Sequence, residues 1–182
     1  MSEEILWRRL DRPGSDYARL SHDESGWRLA GVSLFQHEGK PCRLDYTILC
    51  DAQWQTQAGW VTGRCGEKNI DVEILVDDHR TWCINGAVRP DVSGSIDLDL
   101  HFSPATCLFP IHRFKLPVGG QATVISARLC FPDFTLEPLE QSYLRADQDT
   151  YHYEAGHGKF KTELKVNGSG FVTHFPGFWT VD

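Results

Sequence analysis

The chain has 182 residues, of which 41% are hydrophobic and 24% charged, a balance that supports a buried core and excludes an intrinsically disordered polypeptide. Its formal charge is −7 and its one adjacent basic pair is Arg8-Arg9, which argues against a nucleic-acid backbone or an anionic membrane surface as the main partner. The start is acidic and no apolar run long enough to cross a bilayer follows, so the reading is a cytoplasmic chain with no leader and no stable membrane insertion.

In chain order, nearly every segment reads as strand. Residues 16–20 and 26–35 come first, then 41–50 and 54–65. Residues 69–77 alternate cleanly, with Ile70, Val72, Ile74 and Val76 set against Asp71, Glu73 and Asp77, which is the period of a half-buried strand. Residues 80–84 lead into Asn85-Gly86, the favoured pair for a two-residue hairpin turn. The octet Ser95-Ile96-Asp97-Leu98-Asp99-Leu100-His101-Phe102 alternates most strictly of all. Further strands are expected at 111–116, 121–131, 134–145, 150–154, 159–167 and 170–175, the last two around a Gly168-Ser169 turn. No helical stripe persists over three turns, and the segment from Pro104 to Pro110 holds one short turn at most. The expectation is an all-β fold of about a dozen strands, with little helix. A single large curved antiparallel sheet would form an open or closed barrel over one domain, 1–182.

The six cysteines include no Cys-x-x-Cys pair and read as small buried apolar residues in a reducing compartment. The eight histidines show no His-Glu-x-x-His or helical i, i+4 pairing, so no metal or other cofactor is expected. Asp97 and Asp99 share one strand face, with backbones about 6.6 Å apart. That spacing admits a carboxylate pair for glycoside hydrolysis, or two solvated acids on an exposed face. Arg113 follows the Pro110-Ile111-His112 corner, where it either pairs with Asp97 or Asp99 or forks onto a ligand's polar group. Tyr143, Tyr151 and Tyr153 combine an apolar ring with a polar tip, which suits a cavity mouth.

Certain runs, taken in order, resemble a known family. Leu6-Trp7-Arg8, Tyr46 through Cys50-Asp51 to Trp54, Trp82-x-x-Asn85-Gly86 and Asp97-Leu98-Asp99-Leu100 come first. Ser103-Pro104-Ala105-Thr106, Pro110-Ile111-x-Arg113, Gln141-x-Tyr143, Tyr151-x-Tyr153, Val166 to Gly170 and Phe175-Pro176 complete the set. Together they are similar to the bacterial glycolipid-binding family formerly classed as a domain of unknown function. The resemblance implies a β-rich fold like that of envelope lipoprotein carriers and lipoglycan-binding proteins, which hold acyl chains inside an open barrel. It carries over no catalytic residue. The chain departs from the family pattern at Cys107, where Asn is expected, at His112, where Arg is expected, and at Asn85 and Asn167, where Asp is expected. Arg113 then remains as the main basic group at that corner.

The expectation is therefore a non-enzymatic protein that holds a glycolipid, lipid or similar amphiphile. Ile96, Leu98, Leu100 and Phe102 would line the ligand. Trp82, Asp97, Asp99, Arg113, Gln141, Tyr143, Tyr151 and Tyr153 are the candidate contacts. The alternatives are a carbohydrate-active hydrolase using Asp97 or Asp99, and a structural domain with no small ligand.

Overall fold

A computed structural model describes residues 2–181. The first half is an antiparallel meander of long strands, β1 (Ser2–Arg9), β2 (Gly14–Asp23), β3 (Gly26–His37), β4 (Lys40–Cys50), β5 (Thr56–Cys65) and β6 (Lys68–Val76). It ends in a small hairpin, β7 (Trp82–Ile84) and β8 (Ala87–Val88). After a single 3-10 turn at Pro90–Val92 come β9 (Leu98–Leu100), a second such turn at Ala105–Cys107, and helix α1 (Leu108–Phe114). The second meander comprises β10 (Gln121–Cys130), β11 (Thr135–Arg145), β12 (Thr150–Ala155), β13 (Phe160–Val166), β14 (Val172–Phe175) and β15 (Trp179–Thr180).

Turn chemistry explains the first meander. Asn85 and Gly86 both take positive φ, as do Glu38 and Gly39 between β3 and β4, the left-handed pair that matches the twist of flanking strands. Because β1 pairs with β15, the two meanders form one 15-stranded sheet running from β8 to β9. The sheet is not closed, which settles the open-or-closed expectation. It is also mixed, because β9 lies parallel to β10.

Two segments depart from the sequence reading. Only three residues of the alternating octet pair as strand. Side chains claim the carbonyls upstream: Arg80 donates to Ser95 O at 3.1 and 3.0 Å and to Ile96 O at 2.6 Å, and Trp82 Nε1 donates to Ser95 O at 3.0 Å. With its backbone satisfied this way, the segment needs no ladder. Residues 111–116, expected as strand, instead belong to α1 and the stretch after it. Pro110 falls in the first helical turn, where its missing N–H costs nothing. Lys115 ends the helix in the left-handed region (φ 46°), its N–H donating to Ile111 O. Seven residues are too few to display a helical stripe. The N-terminal strand β1 was likewise absent from the expected set.

The stretch from β9 to α1 fills the concave side of the sheet. Leu98, Leu100, Phe102, Leu108 and Phe109 are buried in one core with Trp7, Leu29, Leu44, Ile48 and Ile74. Gly59 on β5 leaves room for Leu98, whose Cδ2 lies 2.7 Å from where a β-carbon would stand. The apolar face of the octet therefore packs against the protein's own sheet, and the chain occupies the interior that an acyl chain was expected to fill. A second core, with Tyr143, Tyr151, Tyr153, Leu164 and Val172, lies under the second meander.

Candidate functional site

Beside the second core, strands β9 to β15 surround an open pocket of about 330 Å³. A polar cluster stands on one side. Gln141 on β11 is 2% exposed and occupies the centre of that cluster. Its Nε2 donates to the Tyr153 hydroxyl on β12 at 2.9 Å and to Asp99 Oδ2 at 3.2 Å. Its Oε1 accepts from Ser126 Oγ on β10 at 2.6 Å. These contacts fix the amide, its nitrogen toward Tyr153 and Asp99 and its oxygen toward Ser126.

Asp99 is accessible to solvent only in part, and close packing around it pushes its carboxyl up to about 6, against the pull of Arg128 and the Gln141 hydrogen bond. Arg128 on β10 is the register partner of Asp99 in the parallel pair. The two do not form an ion pair within 4.0 Å among the described residues. Arg128 reaches toward Glu137 at 3.8 Å, and its Nε is buried with no acceptor. Asp99 thus brings unused acceptor capacity to the pocket, while the unpartnered Arg128 Nε is closed off from it.

The opposite wall is aromatic. Phe160, Phe175 and Phe178 line the pocket with Tyr153 and Trp179. Ring centroids of Phe175 and Phe178 lie 5.3 Å apart, and those of Phe160 and Phe178 5.8 Å apart, both edge-to-face, the geometry that the charge distribution of aromatic rings favours. Strand alternation puts Tyr151, Tyr153 and Ala155 on one face and Leu139, Gln141 and Tyr143 on the facing set. The register Tyr143↔Tyr153 and Gln141↔Ala155 then brings them together.

Of the eight candidate contacts, Asp99 and Tyr153 line the pocket and Gln141 joins them from behind. Tyr143 lies one layer deeper, its ring 5.1 Å from that of Tyr153 and its hydroxyl buried without an oxygen or nitrogen partner. Tyr151 is buried in the same core, with the Arg145 guanidinium 5.8 Å from its ring, and lines a separate polar groove beside α1. Trp82 is wholly buried and holds Ser95 O, so it is a core residue and not a rim residue.

Asp97 and Arg113 meet each other instead of the pocket. The guanidinium grips the carboxylate with both terminal nitrogens, Nη2 at 2.6 Å from Oδ2. Burial pushes the Asp97 carboxyl up while Arg113 draws it down, and burial is the larger effect. The pair is one of the two roles expected for Arg113; it ties the octet to α1 and separates Asp97 from the two polar side chains that follow it. Asp97 is locked in an ion pair, whereas Asp99 and the more exposed His101 both line the pocket, His101 Nδ1 accepting from Phe131 N at 3.3 Å. Asp97 and Asp99 consequently do not flank a common cleft as paired carboxylates.

The sequence reading missed Arg128 and the wall formed by Phe160, Phe175 and Phe178. Arg128, Phe160 and Phe175 lay in three runs noted only as strand or family pattern, and Phe178 lay beyond the last of them. It also missed a second buried acid. Asp16 on β2 accepts from the Tyr46 hydroxyl at 2.6 Å, and Tyr46 contacts Ser103 Oγ at 3.2 Å, which lines the pocket. Asp16 is fully buried with Oδ2 unpartnered, and desolvation raises its carboxyl to about 7.

Comparison with known proteins fits this picture. The family model described as "Putative glycolipid-binding" matches residues 4–181. The chain belongs to that family. Its fold is similar to that in the 1.80 Å crystal structure of a DUF1089 family protein from Pseudomonas aeruginosa, with TM-score 0.74 and 27% identity over 99% of this chain and 91% of that one. No curated protein matches the chain. Among the described residues no helix is long and apolar enough to cross a membrane.

Proposed function

We propose that the protein is a non-enzymatic binder of a glycolipid or similar amphiphile, and that its site is the pocket between β9 and β15. One observation carries this reading: Asp99 and Tyr153, held from behind by Gln141, share a single pocket with the apolar wall of Phe160, Phe175 and Phe178. Such a pocket offers hydrogen bonds that set orientation and apolar surface that supplies affinity. Its volume of about 330 Å³ suits one sugar ring or one short apolar segment, at the small end of ligand sites. Membership of a glycolipid-binding family points to the same ligand class. Arg113, Asp97 and Trp82 contribute by holding the β9–α1 segment in place.

Isothermal titration with octyl glucoside below its micelle threshold tests the proposal. The expected result is one site per chain. Phe175→Asp, which puts a charge in the aromatic wall, abolishes it. Val118→Asp, on an exposed position outside the pocket, leaves it intact. Absence of binding, or equal binding by Phe175→Asp, overturns the assignment.

A further inference from the structure

Two cysteines far from the pocket are brought together by the sheet. Cys42 on β4 and Cys65 on β5 are register partners, so their side chains leave the same face of the sheet from directly opposite positions. All six cysteines are free thiols, and among the described residues no other has a cysteine opposite it in the strand pairing. The two share the wall of a second pocket, of about 250 Å³, with His37, Lys40, Lys68 and Phe134.

The register at this end of the strands decides what the two thiols can do. Gly66 N donates to Pro41 O at 2.9 Å, which makes Pro41 and Gly66 a hydrogen-bonded pair. Cys42 and Cys65, one step inward, are then a non-hydrogen-bonded pair. Such partners have Cα atoms about 4.5 Å apart, with their side chains at closest approach. That separation lies inside the window of roughly 4.4–6.8 Å that a disulfide spans. The ladder here is also short of a bond, because Pro41 has no N–H to return to Gly66. Access separates the two thiols. Cys42 is 3% exposed, whereas Cys65 is half-buried at the pocket wall. Burial and the facing Cys42 thiol push the Cys65 thiol up, against the pull of Lys68, so thiolate is scarce and attack is slow.

We propose that Cys42 and Cys65 are a disulfide site, closed by a small-molecule disulfide such as oxidised glutathione, which staples β4 to β5 where their ladder lacks a bond. Cys65 loses its proton and attacks one sulfur of the oxidant, forming a mixed disulfide and releasing one thiolate. Cys42 then loses its proton and attacks the Cys65 sulfur, expelling the second thiolate. Two protein thiols are oxidised, one oxidant disulfide is reduced, and the released thiolates take up the two protons. Slow attack suits a bond that forms and persists in a standing oxidising environment, and not a sensor of brief oxidant pulses.

The folded chain is exposed to oxidised glutathione at mildly alkaline pH, quenched with acid, and its remaining thiols are alkylated. Trypsin cuts after Arg43 and Arg64 and so puts the two cysteines on separate peptides. Mass spectrometry should find those two peptides linked and the other four cysteines alkylated. Tm should rise by about 5–10 °C over the reduced chain and return to the reduced value in dithiothreitol. Cys65→Ser should show neither the link nor the rise. Cys83→Ser, at a half-buried position opposite Leu75, should show both. Cysteines 42 and 65 still alkylated after prolonged exposure overturn the proposal. So do a glutathione adduct that persists on Cys65, a link to any other cysteine, and a Tm that fails to rise with the link in place.

Discussion

Asp16 and Asp99 are carboxyls whose surroundings resist ionisation, raised to about 7 and about 6 respectively by desolvation. In each case the folded value lies above that of an exposed aspartate, so the folded state binds protons that the unfolded chain has already released. The sign follows directly. Their contribution to stability is fully present below about pH 4 and falls as pH rises through 6 and 7. Thermal melting from pH 5 to 8 should therefore show Tm declining, and Asp16→Asn should flatten the upper part of that decline. Parallel curves for the variant and the parent chain count against Asp16 as the source. At the pocket, Tyr153→Phe removes the hydroxyl that accepts from Gln141 Nε2 at 2.9 Å. The amide then loses one partner, at a cost of about 1 kcal/mol. Octyl glucoside affinity should fall several-fold while Tm drops only slightly, a split that titration and melting measure separately. Neither acid was legible as what it is. Asp16 sits in an ordinary alternating strand and Asp99 in a row of polar side chains, and desolvation depends on neighbours from β4, β10 and β11 that no local pattern reveals.

At the scale of elements, the strands from β2 to β6 were readable because each shows a dry face and turn residues at its ends. The β9–α1 segment was misread because side chains of Arg80, Trp82 and Arg113 hold it in place of a ladder. The Asp97–Arg113 pair is the clearest case: two residues 16 apart in sequence, one on the octet and one on a helix expected as strand. Removing one partner strands a buried charge, so Asp97→Ala should cost about 3–5 kcal/mol. The double change Asp97→Asn with Arg113→Gln should recover part of that loss. Chemical denaturation of the parent chain and the two variants checks the order, and a double variant weaker than Asp97→Ala contradicts it. Close approach between strands gives a second contrast. A β-carbon at Gly31 would run into the Tyr17 carbonyl and the Tyr46 ring, both fixed in neighbouring strands. One at Gly59 would meet the movable end of Leu98. Gly31→Ala should thus be the more damaging substitution, because backbone cannot yield where a side-chain terminus can.

Over the whole molecule, the two meanders depend on a seam with no local signature. β1 and β15 share only the pairs Arg8↔Thr180 and Arg9↔Trp179, and residues so far apart in sequence announce nothing to one another. The seam is reinforced by side chains. Trp7 Nε1 donates to Val172 O at 2.5 Å, its ring lies 5.7 Å from Phe171, and the Arg9 guanidinium stands 4.6 Å from the Trp179 ring. Leu10 N adds a backbone bond to Phe178 O at 2.8 Å. Beyond β8, Arg89 donates to Leu136 O on β11 at 3.2 Å, a side-chain contact and not strand pairing. A sheet joined by a short seam should open there before its long-strand interior does, since local opening follows the density of buried contacts and shared hydrogen bonds. Trp7→Phe takes the donor from Val172 O and leaves a void in a fully buried site, at a cost of about 2–3 kcal/mol. Hydrogen exchange should then accelerate in β13 to β15 and at the β1 seam, with β3 to β5 keeping their protection. An equal loss of protection in both meanders would show that the sheet unfolds as one unit. Because Phe178 and Trp179 belong both to this seam and to the pocket wall, the same variant should also weaken octyl glucoside binding. The joining of the two meanders and the shaping of the site therefore rest on the same few residues of β1 and the segment from Phe171 to Trp179.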